Sequence, residues 1–396
     1  MINSIKFIII LSFCANYLYG VMRIGWLDDL SILILFFLSI GLVMSSTDKF
    51  LINKHSSIVY PLVLWLVLSV IFNYNSLLGY FYETYKIFLF IYFIPIIQVL
   101  TNEQRKKLYL WFERFCIIFF TINLGVISLQ YTFGVEFLKL MGFSNEYINN
   151  PSVRGRYVGL FQGPNEFGDM LIVVFLFNEF WRGSYYKLLR NILFISILLS
   201  TSKHAMLSLL ITGMLLVLGD REFSGRRKVL GLSALSIFFG LGLMLNVDAV
   251  VVKFNQYWRF LFLLGDVDDV SQFEYRALQI ATGLKLLGQD IWGYGLGTWG
   301  DFSSTFRVGL SDVPVSKLSD SALIHLLVEQ GVFILFYFIT LLWIVIKADR
   351  DRTVICLSLI CFWFIATTFT MGLSSGSWPV IFSFIYGVLY AGWRKV

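Results

Sequence analysis

Four clusters in this 396-residue chain combine residue types and spacings that could do chemistry. The first runs Arg154-Gly-Arg156-Tyr-Val-Gly159-Leu-Phe161-Gln-Gly-Pro164-Asn165-Glu166-Phe-Gly168-Asp169. Pro164 suits the first turn of a helix. Two arginines beside a helix start can hold an anion, because free N–H groups and the helix dipole add to the guanidinium charge. The alternative is that Arg154 and Arg156 are interfacial arginines that extend their charged heads toward water. The second cluster, Ser200-Thr-Ser202-Lys203-His204, reads either as a helix cap with an anchoring lysine or as a polar, cationic binding element.

The third cluster places Glu274-Tyr-Arg276 ahead of Gly293, Gly295 and Gly297. Residues 273–287 have helical periodicity, with Ala277, Ile280, Ala281, Leu284 and Leu287 on one stripe. The glycines either let backbone approach a ligand or form a plain linker; no nucleotide fingerprint follows them. The fourth is Ser319-Asp320-Ser321, followed by His325 and Glu329. Asp320 is a natural helix N-cap and equally a carboxylate positioned to act as a base. His325 and Glu329, four apart on one helical face, can pair as a structural unit or act on a substrate.

The elements that must position these clusters are apolar. The chain is 58% hydrophobic, 18% aromatic and only 14% charged, against about 25% charged in soluble domains. The expected fold class is an all-α polytopic membrane protein forming a single transmembrane domain over 1–396. Spans are expected near 4–22, 28–45, 57–73, 85–100, 110–131, 164–181, 189–201, 204–219, 228–247, 321–346, 353–372 and 377–393, about twelve helices in all. Residues 189–219 read as two short helices or one long broken one. Residues 1–21 could pass for a signal peptide, but no small-residue cleavage site follows, so they are expected as the first span.

Lys and Arg set the expected orientation. Eighteen of them, from Lys6, Lys49 and Lys54 through Arg105–Lys107 and Arg226–Lys228 to Arg394 and Lys395, fall on one set of connections. The opposite short loops hold only Arg23 and Lys203. Both termini are then expected in the cytoplasm, with two long loops, 132–163 and 248–320, on the far side. The net charge of +6 follows from this bias and gives no reason to expect nucleic acid as a partner. Cys14, Cys116, Cys356 and Cys361 lie in apolar runs and are expected as small buried hydrophobes. His55, His204 and His325 are scattered, so no metal and no other cofactor is expected.

The order of the four clusters resembles the O-antigen polymerase (Wzy-type) and O-antigen ligase superfamily. The pattern Arg-x-x-Gly-x-Phe-x-x-Pro-Asn is matched by Arg156, Gly159, Phe161, Pro164 and Asn165. A Ser-x-Ser-Arg-like element is matched by Ser200, Ser202 and Lys203, with lysine in place of the usual arginine. Arg276 precedes the Gly293-Gly295-Gly297 turn, and Asp320-Ser321 leads into Ile324, Leu327, Glu329 and Gly331. The resemblance spans about residues 150–350. Ligases carry His-Asn where this chain has Asp320-Ser321, which favours the polymerase side. It implies a metal-independent glycosyltransferase of the bacterial inner membrane, acting on its periplasmic side. The implied partners are undecaprenyl-diphosphate-linked oligosaccharides, membrane lipids and a chain-length regulator protein. The implied catalytic residues are Arg156, Arg276 and Asp320; the implied substrate-binding residues are Arg154, Asn165, Lys203, Ser321 and His325. Ligation of finished polymer to lipid A–core and flipping of the lipid-linked unit remain the alternatives.

Overall fold

The computed structural model describes residues 1–22, 26–45, 64–71, 77–149, 157–161, 163–200, 202–219, 228–229, 231, 233, 282–299, 321–348, 352–369 and 378–391. Every regular element among them is helical. In chain order the principal helices are α1 (Ile2–Met22), α2 (Trp26–Ser45), α3 (Leu77–Ile87), α4 (Leu89–Val99), α5 (Asn102–Phe133), α6 (Pro164–Trp181), α7 (Tyr186–Leu199), α8 (Lys203–Gly219), α9 (Ala322–Gln330), α10 (Ile334–Lys347), α11 (Thr353–Phe369) and α12 (Trp378–Ala391). A 3-10 helix, Val135–Met141, follows α5, and 282–289 form a further short helix.

Two helical segments among the described residues, Asn102–Phe133 and Ala322–Ile346, are long and apolar enough to cross a membrane. The pair 79–87 and 89–99 makes a third if taken as one span bent by 53°. The other apolar helices are shorter. Within the described residues the apolar runs do become helices; of the expected span 57–73 only 64–71 is described. Residues 228–247, expected as a span, lie mostly outside the described residues, as does most of the loop 248–320.

Local sequence explains the helix ends. Thr101 caps α5 with a reciprocal box, its side chain accepting from the Gln104 N–H while Gln104 returns to the Thr101 N–H. Gly134 ends it at φ 79°. At about 1.5 Å per residue, 32 residues give α5 a length well beyond a hydrocarbon core of about 30 Å. Pro164 occupies the first turn of α6, as its type predicts. Residues 186–219 form two helices parted at 200–202.

One seam of the core is aromatic. Phe93 packs edge-on against Phe384, and Phe112 does the same against Phe177 and Phe384. Phe90 meets both Tyr337 and Tyr386 edge-on. α4 and α12 run parallel here, since Leu89 faces Ser383 and Phe93 faces Gly387. A Cβ on Gly387 would come within 2.9 Å of the Phe93 backbone, so glycine permits this approach. The Tyr386 hydroxyl reaches the carbonyls of Thr340 and Leu341 on α10, at 3.1 and 3.2 Å.

Three expectations are corrected here. The helix expected to begin at 85 begins at 77, as α3, and is broken at Phe88 by a bend into α4. Its polar residues Tyr80, Tyr82, Glu83, Thr84 and Lys86 dilute the hydropathy that marks a span. In the loop helix, Gly283 and Leu286 face the core and Leu284 is exposed, because Gly283 packs against Ile324. The cysteines are free, but only Cys116 and Cys356 are buried; Cys14 lies on the outer surface and Cys361 is half-buried.

Candidate functional site

Three helix starts meet at one end of the bundle. Gly168, in the second turn of α6, lies so close to α8 that a Cβ there would sit 2.5 Å from Ala205 Cβ and 2.8 Å from Ser202 Oγ. The starts of α6 and α8 are therefore neighbours. α8 runs antiparallel to α11, because Gly219 at its far end packs on Val354 at the beginning of α11. The end of α11 thus lies with the start of α8. It also meets the start of α9, where Ser321 Oγ donates to the Thr367 carbonyl at 3.4 Å. Each helix N-terminus carries about half a positive charge and free N–H donors. The described parts of the first, second and fourth sequence clusters, around Asn165, Ser202 and Ser321, lie at the same end of the bundle in this way.

Of the residues expected to act, Asn165 is half-buried in the first turn of α6. Lys203 opens α8. Ser321 caps α9, accepting from the Ile324 N–H at 3.3 Å, so the cap expected of Asp320 belongs to Ser321. Arg154, Arg156, Arg276 and Asp320 lie outside the described residues. The segment leading into α6 docks on α5: the Gly159 and Leu160 N–H groups donate to Gln130 Oε1 and Asn123 Oδ1, at 2.9 and 2.7 Å. Gly159 has φ 64° and no room for a Cβ beside Asn123.

The glycine-rich turn of the third cluster closes onto protein. α9 breaks at Gly331, with φ 53° and one turn of 3-10 helix. The carbonyls of Val328 and Glu329 accept from the N–H groups of Tyr294 and Gly295, at 3.0 and 2.9 Å. Val332 N–H returns to the Ile291 carbonyl at 2.9 Å. Non-helical backbone inside an apolar protein needs partners of this kind. A Cβ on Gly293 would come 2.6 Å from Gly331 N, and one on Gly331 2.2 Å from the Ile291 carbonyl oxygen. These glycines serve close backbone packing. Beside them, partial burial and then the Asp290 carboxylate hold the Tyr294 phenol above its ordinary range.

Below the start of α9 lies a polar seam between α3 and α9. The expected His325–Glu329 pair forms, with Nε2 at 3.1 Å from Oε2. Glu329 Oε1 accepts from the Trp299 N–H at 2.9 Å. Glu83 of α3 joins the pair; one ligand atom from each of the three lies within 4.8 Å of the others. On the same helix Lys86, 2% exposed, meets Asp29 of α2 at 3.0 Å and donates to the Tyr82 hydroxyl at 2.7 Å. Ser69 donates to Gln330 Oε1 at 2.8 Å, and Tyr80 donates to the Ser69 carbonyl at 2.7 Å. Sequence reasoning passes over Glu83, Lys86 and Asp29. A lysine and a glutamate three apart beside an apolar run were the available signal.

No protein-family model matches the chain, and no curated protein matches it significantly.

Proposed function

We propose that this chain is a membrane polymerase that joins polyprenyl-diphosphate-linked oligosaccharide repeat units, as in O-antigen or a related surface polysaccharide. The observation that carries this reading is the convergence of three helix starts, bearing Asn165, Lys203 and Ser321, at one end of an apolar helical bundle. A diphosphate is the ligand that such an end suits: anionic, carried on an apolar chain, and presented at a membrane face. Arg156 and Asp320 adjoin two of these starts in sequence, and Arg276 lies in the loop that leads to the glycine turn.

In the proposed reaction a hydroxyl of the acceptor unit attacks the anomeric carbon of the donor glycan. The new C–O bond forms as the bond from that carbon to the diphosphate oxygen breaks. The hydroxyl proton passes to a base, for which Asp320 is the candidate, and polyprenyl diphosphate leaves. Negative charge grows on the diphosphate, so cations and N–H donors fixed in advance lower the barrier most. Arg156 and Arg276 fill that role, with guanidinium geometry matched to phosphate, and Lys203 assists. On this reading the end where the helix starts meet faces the periplasm, and both chain termini face the cytoplasm.

The test is a gel of surface lipopolysaccharide from a strain lacking the gene. The expected result is collapse of the ladder to core plus one repeat unit. Arg276→Ala should give the same pattern at normal protein level. Loss of every band above core would point instead to ligation or flipping. The buried groups Glu83, Lys86, His325 and Glu329, with the half-buried Asp29 beside Lys86, favour a flippase as the second reading, since ionisable groups inside a bundle mark transport paths. An unchanged ladder overturns the O-antigen assignment.

A further inference from the structure

We propose that Glu83, His325 and Glu329 form a binding site for one divalent transition-metal ion, of the Zn²⁺ or Mn²⁺ class. The inference does not rest on the polymerase reading, and it departs from the sequence expectation of a chain without metal. The three side chains come from two helices far apart in sequence and are 4%, 8% and 0% exposed. Their ligand atoms lie within 4.8 Å of one another.

The spacing of one pair is that of ligands sharing an ion, and Glu83 stands close enough to close on the same ion by a small side-chain shift. His325 Nε2 and Glu329 Oε2 stand 3.1 Å apart. Bonds of about 2.0–2.2 Å put neighbouring ligands of one zinc ion roughly 3 Å from each other. The two oxygens of Glu329 are used differently. Oε1 is fixed by the Trp299 N–H, which sets the carboxylate plane. Oε2 is buried, accepts no hydrogen bond, and is directed at His325. A second interaction that orients a ligand in this way is typical of metal sites.

Charge gives the second argument. Two carboxylates buried in an apolar bundle need a compensating positive charge. Lys86, a buried cation on the same helix as Glu83, is shared among Asp29, Tyr82 and Glu83, so one lysine serves several acidic groups. An imidazole beside two carboxylates selects a transition metal over magnesium or calcium, which prefer oxygen alone. Three protein ligands leave a coordination position for water. The ion joins α3 to α9 directly beneath the helix break that receives the glycine turn.

The experiment uses the full chain purified in detergent, stripped with a chelator and titrated with ZnCl₂, MnCl₂ or CoCl₂. Bound metal is measured by elemental analysis, and cobalt also by its visible absorption. The expected result is about one ion per chain, with His-ligated cobalt absorption. Glu83→Gln and His325→Gln should each weaken binding by more than the roughly 10–100-fold typical of lost second-layer contacts. Lys139→Ala, on an exposed pair elsewhere, should bind as the parent does. Should His325→Gln fail to fold, the near-isosteric Glu83→Gln carries the test. A stripped parent chain that takes up none of the three metals overturns the proposal. So does equal uptake by the Glu83→Gln/His325→Gln/Glu329→Gln triple variant.

Discussion

The α4–α12 seam and the α3–α9 seam lie in the same apolar bundle and are built on opposite principles. The first is filled by Phe90, Phe93, Phe384 and Tyr386, with ring centroids 5.3–5.5 Å apart. It gains from shape and dispersion, so each ring adds stability wherever it packs. The second carries Lys86, Glu83, His325, Glu329, Ser69 and Gln330. Desolvating such groups costs more than packed hydrocarbon would, unless every one is satisfied. A bundle that already closes well with aromatics does not need a charged seam for stability. The difference teaches that packing alone does not account for the α3–α9 seam, which is where the proposed metal site lies.

Substitutions can break this comparison in order of expected size. Phe384→Ala should cost about 4 kcal/mol of unfolding free energy, because it empties the centre of the aromatic seam. Metal binding in the surviving folded fraction should not change. Asp29→Asn should cost about 3 kcal/mol by leaving Lys86 buried without its carboxylate. Adding Lys86→Met to Asp29→Asn should recover most of that loss. A double variant less stable than the single would show that the polar seam exists for stability, and the contrast would fail. Both are read by unfolding in detergent.

Smaller effects sharpen the picture. Gly331→Ala should cost about 1–3 kcal/mol from backbone strain alone, and should expose the 291–295 turn to protease by undocking it from α9. Thr101→Ala removes half of the capping box of α5 and should cost about 1 kcal/mol. Lys139→Ala breaks an exposed pair with Glu136 and should change stability by less than about 0.5 kcal/mol.

Much of the scaffold is legible in the sequence, since runs such as 164–181 and 204–219 return as α6 and α8 almost residue for residue. Pro164 at a helix start and the spacing of His325 and Glu329 read directly, being local rules. What stayed hidden is long-range. Ser69 meets Gln330 across 261 residues, and Glu83 meets Glu329 from another helix, which no periodicity encodes. Gly293, Gly295 and Gly297 could be recognised as a turn, but not as the surface that covers a broken helix. Hydropathy misplaced the start of the 85–100 span because the polar residues that make α3 interesting also make it resemble a loop.

The central claim is elongation of a lipid-linked glycan, and its most direct test is reconstitution. The purified chain in lipid vesicles would be supplied with a polyprenyl-diphosphate-linked repeat unit, and the products separated by size. The account predicts a ladder of longer glycans with matching release of polyprenyl diphosphate, and loss of both with Arg156→Ala. Transfer of the unit across the bilayer with no gain in length would contradict it.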